Sequence, residues 1–68
     1  MSKKHFEALA TKFNEKMTVL KTTEYLNGDE RAAALNATTS AAQLVADVCA
    51  DANPRFDTRR FLAACGIN

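Results

Sequence analysis

The chain has 68 residues, 47% of them hydrophobic, and nine Lys and Arg against eight Asp and Glu give a net charge of +1. Thirteen of the hydrophobic residues are alanine and two are cysteine, leaving 17 large apolar side chains, enough for one small core but not for a core plus a deep pocket. That balance excludes a second domain, disfavours a self-contained enzyme and favours an adaptor, an inhibitor or an oligomerising module.

The opening MSKKHFEALA is basic but carries no apolar run or cleavage pattern of a secretory leader. No stretch approaches the ~18–20 apolar residues of a membrane span. With Cys49 and Cys65 too few for a disulfide scaffold, the expectation is a cytoplasmic protein with reduced thiols. Phe6, Leu9, Phe13, Met17 and Leu20 then recur at steps of three and four, which predicts an amphipathic helix with Ser2 as its N-cap. Lys3 and Glu7 are spaced to support it, whereas Lys12 and Lys16 repel. Thr22, Thr23 and Tyr25 weaken its end. Asn27-Gly28-Asp29 breaks it, with Gly28 suited to a left-handed turn and Asn27 or Asp29 to capping the next helix.

The second stretch, DERAAALNATTSAAQLVADVCADAN, is helical in composition but weak at Asn36, Thr38, Thr39 and Ser40. Ser40 and Gln43 fit a capping box. The prediction is a short helix near 30–37, a break, and a stronger helix near 41–52 that buries Leu44, Val45, Val48, Cys49 and Ala52; one unbroken helix is the alternative. Asn53-Pro54 ends it. In the closing NPRFDTRRFLAACGIN, Asp57 as N-cap puts Phe56 and Phe61 at the two positions of a hydrophobic staple. Gly66 suits the left-handed C′ position, with Leu62 and Ile67 as the apolar pair of a Schellman turn. A helix over 58–65 is thus clamped at both ends. The expected fold is all-α, a single domain over 1–68, a small compact bundle of three to four short helices. The first helix and helix 41–52 form the main pair, capped by the C-terminal helix.

Catalytic groupings are missing. His5 is the single histidine and the chain has only two glycines, so there is no phosphate loop. Neither cysteine has a positioned base or metal-ligand spacing around it. No cofactor, no metal and no enzymatic activity is expected. Charge is uneven: residues 1–26 carry +2, 27–53 carry −3 and 54–68 carry +2. Basic ends can neutralise an acidic middle when the chain folds back, and Arg55, Arg59 or Arg60 could pair with Asp47 or Asp51, which repel each other across one helical turn. The same cations are the candidate binding residues: Arg55, Arg59 and Arg60 on one face, Lys3, Lys4, Lys12 and Lys16 on another. Helix 41–52, the turn after it and helix 58–65 also have the outline of a helix-turn-helix, with Thr58, Arg59 and Arg60 where recognition residues lie. Near-neutral net charge makes nucleic acid the weaker choice of partner.

KKHFEALA near the start and DVCADANPRFDTRRFLAACGI at the end resemble a group of small bacteriophage and prophage accessory proteins, over roughly 30 of the 68 residues. The matching positions are Asn53, Pro54, Arg55, Phe56, Asp57, Arg60, Phe61 and Gly66. The resemblance implies a phage accessory protein and brings no active site with it. The expectation is therefore a non-enzymatic protein that binds a host protein or ribonucleoprotein, by analogy an anti-CRISPR-like inhibitor of a host defence complex. A small DNA-binding regulator is the alternative, and a homodimer would add burial to a small core.

Overall fold

The computed structural model describes residues 3–67, which form three packed α-helices: α1 (Lys3–Thr22), α2 (Gly28–Ala52) and α3 (Thr58–Ala64). Ser2, the expected cap of α1, lies outside the described residues. The all-α expectation holds, and of the three to four helices expected the described residues form three. Residues 28–52 run as one helix of 25 residues. The expected break is bridged because Thr38 donates its hydroxyl to the Ala34 carbonyl (2.9 Å), so one hydroxyl is absorbed within the helix. Alanines on either side supply the propensity that Asn36, Thr39 and Ser40 lack. Ser40 is an interior residue of α2, not a cap.

Asn27 is the cap. Its side-chain oxygen accepts from the Glu30 N–H (2.8 Å), and a Glu30 carboxylate oxygen accepts from the Asn27 N–H (3.0 Å). Two otherwise unpaired donors are satisfied reciprocally. Gly28 is consequently the first residue of α2 and takes no left-handed conformation; among the described residues Gly66 alone has positive φ.

A continuous α2 also decides which side faces inward. Ala42, Ala46 and Cys49 are buried, whereas Leu44 and Val48 are 66% and 68% exposed and Ala52 is exposed. The expected burial of Leu44, Val48 and Ala52 is therefore wrong, while Val45 and Cys49 do face the core. Bulk in the core comes from elsewhere. Phe61 of α3 packs with Ala10, Ala42, Ala46 and Cys65, and Leu9, Phe13, Phe56, Leu62 and Ile67 close around them. Small residues on α2 leave room for large ones from α1 and α3, the big-against-small filling that dense packing requires.

Two hydrogen-bonded anchors tie the helix ends together. The guanidinium of Arg31 donates to the carbonyls of Leu20, Thr23 (2.8 Å) and Leu26 (3.1 Å), satisfying the end of α1 and the loop beyond it. Asn14 on α1 donates from Nδ2 to the carbonyl of Ala64 (3.1 Å), the last residue of α3. Residue 53 is extended, as the position before proline must be, and its side-chain oxygen accepts from the Arg55 N–H (3.0 Å).

The C-terminal clamp forms as expected. Asp57 caps α3 by accepting from the Arg60 N–H (3.0 Å), and the Phe56 and Phe61 rings lie 5.5 Å apart. At the other end Ile67 N–H donates to Leu62 (2.9 Å) and Gly66 N–H to Ala63 (3.0 Å), the bond pair of a Schellman turn. Gly66 has φ +87°, and a Cβ there would meet Asn14 Nδ2 at 3.3 Å. Gly66→Ala is expected to cost about 1–2 kcal/mol from the left-handed conformation. Thermal unfolding by circular dichroism checks it; an unchanged midpoint would show that the turn rearranges freely.

Candidate binding grooves

The turn between α2 and α3 places Phe56 between two other rings. Phe6 of α1 meets it edge to face at 4.9 Å and 63°, and Phe61 meets it at 5.5 Å. Such geometries match the quadrupoles of aromatic rings. This row belongs to an open groove of about 330 Å³ whose rim carries Lys3, Arg55 and Arg60, with Glu7 and Asp57 among the cations. Asp57 is occupied by capping α3, through the hydrogen bond that its side chain accepts from the Arg60 N–H. Arg55 is held at its backbone by the Asn53 side chain, so the arginine projects from a fixed turn.

A second groove, about 470 Å³, runs between α1 and α2 and is lined by Leu9, Phe13, Ala37 and Ala41 with Lys12 and Lys16 beside them. The seven expected binding residues are thus divided. Lys3, Arg55 and Arg60 come together at the aromatic groove, bringing the two ends of the chain into one place. Lys12 and Lys16 flank the other groove, and Lys4 and Arg59 are exposed outside both. All seven are exposed. The expected pairing of the arginines with Asp47 or Asp51 does not form: among the described residues the one ion pair is Lys12 to Glu15, 3.5 Å and solvent-exposed. Nor does Lys3 bridge to Glu7. A pair as exposed as Lys12–Glu15 contributes little.

No group of three or more His, Cys, Asp or Glu side chains is placed to hold a metal ion among the described residues. Cys65 is fully buried, and burial raises its thiol above the ordinary value, so it remains protonated near neutrality and acts as core. No helix among the described residues is long and apolar enough to cross a membrane. Thr58, Arg59 and Arg60 do occupy the first turn of α3, but that helix has seven residues, about 10 Å of length.

Sequence reasoning overlooked Arg31 and Asn14, the residues that fasten the frame around these grooves. Arg31 is the single cation in the acidic middle of the chain, a signal open to reading; Asn14 has no such signal, because its partner is a main-chain carbonyl fifty residues away. No family model, curated protein or solved structure matches the chain.

Proposed function

We propose that the protein is a non-enzymatic binding module that takes an acidic, apolar-anchored segment of a protein or ribonucleoprotein into the aromatic groove. The observation that carries this reading is the meeting of Lys3, Arg55 and Arg60 around the Phe6–Phe56–Phe61 row. Aromatic side chains that are partly open supply an anchor surface, and cations at its rim steer and orient an acidic partner. In this reading the partner is a host macromolecular complex, which is the expectation that the resemblance of the chain ends carries, and inhibition of a defence complex is the form its action takes.

The test is affinity capture from a bacterial lysate with quantitative mass spectrometry. Arg55→Glu combined with Arg60→Glu is expected to reduce a stoichiometric protein partner at least ~10-fold, while Lys21→Glu leaves it in place. Recovery of nucleic acid alone would overturn the proposal. A second reading, a DNA-binding regulator, is favoured by one observation: Arg59 and Arg60 are both exposed in the first turn of α3. It requires duplex binding that falls steeply with salt and is lost on Arg59→Ala plus Arg60→Ala.

A further inference from the structure

Leu44 and Val48 stand exposed four residues apart on α2, and Ala37 and Ala41, also exposed, continue the line toward its N-terminus. The steps of four, three and four between these positions are those of a coiled-coil seam. The molecule that carries this seam is thin, with extents of 40 × 18 × 16 Å. Its radius of gyration is 12.7 Å, where a compact chain of 68 residues has about 11 Å. Its accessible surface is 5026 Å², where a compact monomer of 7.4 kDa exposes about 4200 Å². The elongated shape thus leaves roughly 800 Å² more of the whole chain in water than a compact monomer would, surface that association can cover.

We propose that two copies of the chain pair antiparallel along α2, with Leu44 and Val48 of each copy filling the groove beside Ala37, Ala41, Leu9 and Phe13 of the other. The seam is self-complementary. Ala41 and Leu44 share a midpoint between Ala42 and Gln43, and so do Ala37 and Val48. A two-fold axis at that midpoint therefore sets each alanine opposite a large side chain of the second copy, small against large at every step. The holes are already present: Ala37 and Ala41 line the groove between α1 and α2. This pairing is independent of whatever enters the aromatic groove.

Sedimentation equilibrium from roughly 1 μM to 1 mM reads the oligomeric state. The wild-type chain is expected to convert from monomer to dimer in this range. Ala41→Lys and Leu44→Glu, both at exposed positions, are each expected to raise the midpoint at least ~100-fold, because a charge enters an apolar seam. Far-UV circular dichroism should show both variants folded. Mixed in equal amounts, they are expected to recover a heterodimer, since position 41 of one copy meets position 44 of the other only in the antiparallel register. A wild-type chain that stays monomeric to 1 mM, single variants that dimerise like wild type, or a mixture that stays monomeric would each overturn the pairing.

Discussion

Phe61→Ala is expected to remove a large part of the chain's folding stability. Phe61 is 5% exposed and is the one large side chain in the buried cluster formed otherwise by Ala10, Ala42, Ala46 and Cys65. Truncating a buried phenylalanine costs about 3–5 kcal/mol, combining lost transfer energy with the cavity left behind. A domain of this size is stable by only about 3–10 kcal/mol. The alanines of the cluster have no side chain to move into the space, which leaves any filling to the half-buried side chains packed around them. The loss would also release α3, because the staple to Phe56 and the packing of α3 against α1 and α2 depend on this ring. Urea titration followed by far-UV circular dichroism at fixed chain concentration checks it; the single tyrosine, Tyr25, is 95% exposed and is a poor reporter of folding. A cooperative transition within ~1 kcal/mol of wild type would show that the core is centred elsewhere.

Arg31→Met is expected to cost about 2–3 kcal/mol although it deletes no part of the buried cluster. One half-buried guanidinium answers three carbonyls at the end of α1 and in the loop, and hydrogen bonds to a charged group are worth more than neutral ones. Methionine keeps most of the aliphatic packing and removes every donor, so the effect isolates the hydrogen bonds. The cation also faces the negative end of the α1 dipole. Arg31→Lys should recover less than half of the loss, because an ammonium lacks the planar fork that reaches separate carbonyls. Amide hydrogen exchange should show faster opening over the last turn of α1 and residues 23–27 before any other region. Full recovery by lysine would reduce the role of Arg31 to that of a point charge.

The binding residues were legible in kind but not in grouping. Arg55, Arg59 and Arg60 look like one face in the sequence, and Lys3, Lys4, Lys12 and Lys16 like another. The fold recombines them, because the turn at Asn53–Asp57 lays Arg55 and Phe56 against the first turns of α1. Lys3 thereby joins Arg55 and Arg60, Lys12 and Lys16 move to a separate groove, and Arg59 is left outside. Spacing along a chain sets which residues share one helix face. Which faces of two helices meet is set by packing.

The sequence by itself determined the helical class, the break at Asn27–Asp29 ahead of α2, its end at Asn53 and both clamps of α3. Each of these rests on contacts within about six residues, where capping groups and turn conformations act through the adjacent backbone. Tertiary structure alone decided that α2 is unbroken, that it turns alanines inward and Leu44 and Val48 outward, and that Arg31 and Asn14 fasten neighbouring helices. The physical reason is that the inward face of α2 is chosen by the room left between helices. The bulk of Phe61 and the α1 side chains fills that space, so hydrophobicity read along α2 alone points to the wrong side.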